Sequence, residues 1–228
     1  MSLRCDLILR DATIFDGTGA ARTQGDVAVR GDRIVGVGDL GAMAADREVV
    51  ATGKAVAPGF IDAHTHDDRA VLCGPDCMLC KMSQGVSTVV VGNCGISLSP
   101  VKMARRPAPP LDLLGDESWW TFGSFGEYAD RLAGRLIGDA LRRGLSVARV
   151  DAGSGRPSTE PGITDLAAEA ANFGDVVHRT AEEGLAEVPW GHFSTLLRQS
   201  TKPGTLVEAL SDLYEVVMVQ AGCVDADS

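Results

Sequence analysis

Aromatic side chains are scarce in this sequence: Phe, Trp and Tyr together make up 5% of 228 residues. Its core must be built from Val, Leu, Ile and Ala. Long apolar runs are missing too. No stretch approaches the roughly 18 residues that span a bilayer, and the opening MSLRCDLIL has no apolar segment ending in small residues, as a secretory leader would. A cytoplasmic location with no membrane partner is expected. Six cysteines are too sparse for a disulfide scaffold, which leaves them as thiols or metal ligands. Basic residues are in the minority, 21 Lys and Arg against 31 Asp and Glu, for a net charge of -10. Phosphate binding needs clustered cations, so nucleic acid is not an expected partner. Arg105-Arg106 and Arg142-Arg143 are pairs, too small to change that reading. What is present, 45% hydrophobic and 23% charged residues, is the composition of a folded globular chain of one or two domains.

The first 56 residues alternate with period two in CDLILRDATIFDG, GDVAVRGDRIVGVG and REVVATGKAVAPG, separated by Gly and Asp turns. They predict a small antiparallel β-sheet unit, with a hairpin turning at Gly31-Asp32. At Pro58-Gly59 the pattern changes. Gly59-Phe60-Ile61 is apolar without alternation, a helical stretch runs from Met78 to Gln84 and closes at Gly85, and Val86 to Val91 is rich in β-branched residues. Strand, helix, strand predicts a βαβ unit and a parallel sheet, so the fold class is α/β. Further on, RRPAPPLDLLGDESWW and residues 153–162 read as loops. Phe125–Arg143, Thr164–Glu183 and Leu206–Leu213 carry helical spacing, and Tyr214–Val219 reads as a strand or as the helix continuing.

Two strand ends carry chemistry. In parallel α/β proteins reactive groups gather at the carboxyl ends of strands, where this sequence places His64-Thr65-His66 and Asn93-Cys94-Gly95. Residues two apart in an extended segment share a side, so His64 and His66 can reach one ion while Thr65 points away. Imidazole and thiolate are donors that zinc accepts, and Cys94 could close on the same ion. A bare HxH is weak by itself, and Cys94 alone reads as a small buried hydrophobe. Cys73, Cys77 and Cys80 include a C-x-x-C, but no second pair completes a four-ligand site, so they are read as incidental thiols. His178 and His192 stay as candidate ligands, although a lone histidine is more often an ordinary surface or core residue.

VAPGFIDAHTHDD followed by MSQGVSTVVVGNCGISLSP resembles the N-acyl-D-amino-acid deacylases (D-aminoacylases) of the amidohydrolase superfamily. The likeness extends to DLILRDATIFDGTG and PPLDLLGDESWWTFGSFGEYADRL, covering about residues 5–132. It implies a (β/α)8 TIM-type barrel flanked by a small β-sandwich, with Zn2+ at the strand ends held by His64, His66 and Cys94. It also implies hydrolysis of the amide of a small-molecule N-acyl-D-amino acid. The family's two further histidines and its general acid/base aspartate have no match here, so the catalytic residue is unassigned. A full barrel takes about 250 residues, whereas 171 follow Ala57. The expectation is therefore a β-sheet unit over 1–56 and a partial barrel over 57–228, with 133–228 unaligned, in a chain truncated or altered after about residue 132. A non-catalytic remnant and a dihydroorotase-like cyclic amidase are the alternatives, and Gly92-Asn93-Cys94-Gly95 speaks against the second.

Overall fold

Eleven residues, Arg4–Ile14, form the first strand (β1) of the computed structural model, which describes residues 4–197 and 199–221. The first three residues, Arg198 and the segment 222–228 with the sixth cysteine, Cys223, lie outside the described residues, as does part of the N-terminal stretch read above for a leader. The chain divides into two compact units, one of residues up to 62 with 81–88, the other of 63–80 with 89 onward.

In the first unit β2 (Thr23–Arg30) and β3 (Arg33–Gly38) form the expected hairpin, with Arg30 opposite Arg33 across Gly31-Asp32. Gly31 has φ 57°, which suits the glycine-first two-residue turn. β4 (Ala44–Val50) and β5 (Ala55–Val56) complete a five-stranded sheet of order β3-β2-β1-β4, with β5 also on β1. The sheet is mixed, which corrects the antiparallel expectation. β4 and β5 lie parallel to β1 because the segment after β3 carries the chain to the far edge of β1 instead of folding it back as a second hairpin. Cys5, Ile8 and Ala28 are buried in one cluster, and Ala12, Ile14, Val27 and Ala51 in another.

The predicted strand, helix, strand passage is β6 (Phe60–Thr65), α1 (Asp68–Cys73), α2 (Pro75–Met82) and β7 (Val86–Val91). The helix starts earlier than the expected Met78 because Pro75 takes its first position, where a missing N–H costs nothing. Phe60 N–H donates to Gly85 O (2.8 Å) and Thr65 Oγ1 to Val90 O (3.3 Å), so β6 and β7 advance together and run parallel.

The remaining residues form α3 (Phe125–Arg142), β8 (Val147–Ala152), α4 (Ile163–Ala167), α5 (Phe173–Val176), β9 (His178–Arg179), β10 (Leu185–Val188), α6 (Lys202–Ser211) and β11 (Val216–Ala221). α3 begins where expected: Ser124 Oγ accepts from Glu127 N–H (3.2 Å), and the Glu127 carboxylate accepts from Gly123 N–H (2.8 Å). β11, β8 and β10 are mutually parallel neighbours, and β9 adds an antiparallel edge to β10. Ala148, Val150, Val188 and Trp190 pack there against Ile163, Leu166, Leu206 and Leu210.

Thr164–Glu183 is not one helix. Glu169 adopts φ 61° and stops α4, the Asp175 side chain accepts from Asn172 N–H (2.9 Å) and starts α5 afresh, and the chain then enters β9. The structure is α/β, as the strand-helix alternation predicts. No helix among the described residues is long and apolar enough to cross a membrane.

Candidate metal centre

His64 lies within β6 and His66 just past its end. Thr65 between them is buried, its hydroxyl spent on Val90 O. Strand alternation therefore puts both imidazoles on the opposite side, with ring centroids 5.8 Å apart and planes at 66°. Cys94 arrives from β7 on a tight turn. Gly95 N–H donates to Gly92 O (3.0 Å), and both glycines take positive φ, 73° and 81°. Asn93 Nδ2 donates to Ala63 O (2.6 Å) and ties this turn to β6.

One donor atom each from His64, His66 and Cys94 lies within 4.8 Å of the other two, and this is the one such group of His, Cys, Asp or Glu among the described residues. Cys94 Sγ is 3.7 Å from His66 Nε2. Ligands bound at about 2.0–2.3 Å in a tetrahedron stand roughly 3.5 Å apart, so this separation is close to what a shared zinc ion requires. The Nδ1 atom of His66 is buried and has no hydrogen-bond partner. With only a long sulfur contact at Nε2, the ring has made no strong hydrogen bond, and a lone pair is left for an ion. Two neutral nitrogens and a sulfur match the borderline softness of zinc, so the residues present fit that metal.

Behind these donors Asp68, at the start of α1, is fully buried. Its Oδ1 accepts from Ser97 Oγ (2.7 Å) and Leu98 N–H (3.2 Å), while its carbonyl accepts from the Tyr128 hydroxyl (2.9 Å). Burial, and then the Asp68 charge, push the Tyr128 phenol well above its ordinary range, so it remains a donor. Asp68 thus joins α1, the segment after the Cys94 turn and α3. The sequence pattern assigns Asp68 no role of its own. A carboxylate opening a helix directly after HxH was the available signal for this role.

The other candidates do not join the cluster. His178 Nε2 faces Pro161 O at 2.8 Å, and His192 Nδ1 pairs with Asp165 Oδ1 at 2.8 Å. Cys73 closes α1, and Cys77 and Cys80 lie on α2. The Cys77 thiol hydrogen-bonds Cys73, which raises its pKa, and these three cysteines do not converge as a metal-binding group.

Residues 47–140 match the profile described as the amidohydrolase family. A D-aminoacylase of Alcaligenes xylosoxydans xylosoxydans is 50% identical over 127 residues, 56% of this chain and 26% of the relative. An N-acyl-D-glutamate deacylase of the same organism is 37% identical over 199 residues, 84% of this chain and 39% of the relative. Among solved structures, the N-acyl-D-glutamate deacylase from Bordetella bronchiseptica, complexed with zinc and a phosphonate inhibitor, superposes with a TM-score of 0.51 at 42% identity, covering 58% of this chain and 27% of that one. The chain spans between about a quarter and two-fifths of the length of these relatives. The profile match spans β6, the Cys94 turn and most of α3, where the three donors and their support are built. Over these residues the chain is similar to the N-acyl-D-amino-acid deacylases (D-aminoacylases) of the amidohydrolase superfamily.

Proposed function

We propose that this chain carries zinc ligands of an enzyme that hydrolyses the amide bond of N-acyl-D-amino acids, releasing a carboxylate and a D-amino acid. The observation that carries the reading is the convergence of His64, His66 and Cys94 within 4.8 Å at the ends of two parallel strands. Zinc, when bound, would supply a water of lowered pKa and polarise the scissile carbonyl. His64 and His66 would give neutral nitrogens and Cys94 a thiolate. Three protein donors leave a position open for water or substrate, as hydrolytic zinc sites do. Asn93 and Asp68 would hold the two strand ends in register, keeping the donors at bonding distance.

The same reading takes residues 57–228 as part of a (β/α)8 barrel and 1–56 as a β-sandwich-like unit. It also places the protein in the cytoplasm, where its cysteines would remain reduced thiols. No carboxylate joins the three donors among the described residues, so no proton shuttle is assigned. That observation favours a second reading, metal binding without turnover.

One preparation separates the two readings. Zinc content is measured by elemental analysis, and D-amino acid release from N-acetyl-D-methionine and N-acetyl-D-glutamate is followed. Metal at one equivalent or more with turnover supports hydrolysis. Metal without turnover supports the second reading. A chain that takes up no zinc from a zinc-containing buffer overturns both.

A further inference from the structure

Both ring nitrogens of His192 face oxygen. Nδ1 is 2.8 Å from Asp165 Oδ1 and Nε2 is 3.2 Å from the Thr159 carbonyl. A neutral imidazole has one N–H and would turn a lone pair toward one of these acceptors, whereas an imidazolium donates to both. We propose that protonated His192 is a latch, stapling segment 189–193 to the N-terminus of α4 and to segment 158–162, and releasing them when it loses its proton.

The surroundings are built for such a charge. Asp165 is buried, and its Oδ2 accepts from Gly162 N–H (2.8 Å) and from the backbone N–H of His192 itself (3.0 Å). The stapled segments also share main-chain bonds, Ile163 N–H to Pro189 O (2.9 Å), Thr164 N–H to Trp190 O (2.9 Å) and Ser158 N–H to Gly191 O (2.8 Å). The charged groups facing the ring are Asp165 from α4 and Glu160 from the 158–162 segment, both negative. A cavity of about 250 Å³ lies beside the latch, lined by Asp151, Glu187 and His178 with Glu160 and Pro189, one from each stapled segment. It opens near the carboxyl ends of β8 and β10, where parallel sheets receive ligands. Protonation of His192 would therefore control the rim of that cavity.

The Asp165 hydrogen bond, and then the Thr159 carbonyl, raise His192 above its usual 6.5. The latch is fully engaged below that value and lost as pH rises through the raised one. Burial raises Asp165, but the N–H groups of Gly162 and His192 and the imidazole outweigh it, leaving the carboxyl below its usual 3.8. On the acid side the latch fails only as pH falls through that depressed value.

The test is imidazole nitrogen NMR with amide exchange of Ile163 and Thr164, corrected for the intrinsic pH dependence of exchange, on the full chain and on His192→Gln. The expected result is a doubly protonated ring at pH 6.5. Amide protection should fall about two- to fivefold as the ring titrates, the range for a half-exposed ion pair, while the variant shows no such step. A ring that titrates below 6.5, or the same protection profile in both proteins, overturns the proposal. Should the variant fail to fold, the titration of His192 in the unaltered chain decides.

Discussion

The Tyr128 hydroxyl donates to the carbonyl of Asp68, 60 positions earlier, across 2.9 Å of buried space. The bond fixes the first turn of α1, which directly follows the histidine pair, against α3. Tyr128→Phe removes the donor and leaves the ring, and should cost about 1 kcal/mol of unfolding free energy. Asp68→Ala should cost more, about 1–3 kcal/mol, because the buried Leu98 N–H loses its acceptor. Denaturant titrations of both variants check the order, and equal losses would contradict it.

The Cys94 sulfur is the one soft anionic donor in the cluster. Loading with cobalt in place of zinc should give a sulfur-to-metal charge-transfer band. Cys94→Ala should abolish that band and weaken metal affinity at least tenfold, an amount comparable to losing a single outer-shell partner and so a lower bound for a ligand. His66→Ala should weaken affinity while leaving the band in whatever metal still binds. A band that survives in Cys94→Ala would place the bound metal on other thiols, with Cys73, Cys77 and Cys80 the first to test.

The parts legible in the sequence share a physical character: their signal is local. Gly31-Asp32 between alternating valines specifies its hairpin within fourteen residues, Ser124 with Glu127 marks the start of α3, and His64 and His66 share a face because a strand must alternate. What could not be read depends on partners far along the chain. β8 contains Arg149 among short apolar residues and received no assignment from the sequence, because its strand character depends on β10 and β11 flanking it and on the guanidinium finding Asp130 and Gln220. Asp68 carries no role in the local sequence because its partners, the Ser97 hydroxyl and Leu98 N–H, lie some thirty residues on. Helical spacing over Thr164–Glu183 was overridden by α4 closing onto Pro189 and Trp190, which no local pattern announces.

Acid stability of the first unit should depend on Arg10. Its guanidinium bonds Asp26 (2.9 Å) and Glu48 (2.8 Å) and also the carbonyls of Leu40 and Met43. The Asp11 N–H, and then Arg10 against the opposing effect of burial, hold Asp26 below its usual 3.8. Arg10 likewise holds Glu48 below 4.5. Depressed carboxyls contribute stability that is present above their usual values and lost as pH falls through the depressed ones. Melting temperature should therefore drop with pH below about 4, and Asp26→Asn, which keeps an acceptor for Asp11 N–H, should flatten that limb while lowering the plateau near pH 7. A limb of unchanged steepness in the variant would assign acid lability to other carboxylates.

Two glycines make opposite predictions from the same substitution. At Gly162 an added Cβ would sit 2.0 Å from Pro189 O and 2.5 Å from Gly191 N, both backbone atoms that cannot rotate aside. Its φ of -147° is open to any residue, so the demand for glycine comes from close approach and not from chain conformation. Gly162→Ala must push segment 189–191 away from α4, breaking the bonds of Ile163 and Thr164 to Pro189 and Trp190. Overpacking of this kind costs about 1–3 kcal/mol, and the broken main-chain bonds add to it. Gly134, exposed in the middle of α3 with nothing within 4 Å of its missing Cβ, carries only the entropic penalty of a helical glycine. Gly134→Ala should therefore stabilise the protein by about 0.5–1 kcal/mol. Measured side by side by thermal melting, Gly162→Ala should melt lower than the unaltered chain and Gly134→Ala a few degrees higher, about 2–4 °C per kcal/mol at this size. A tolerated alanine at 162 would mean that α4 and the segment after β10 are not held as closely as the structure shows.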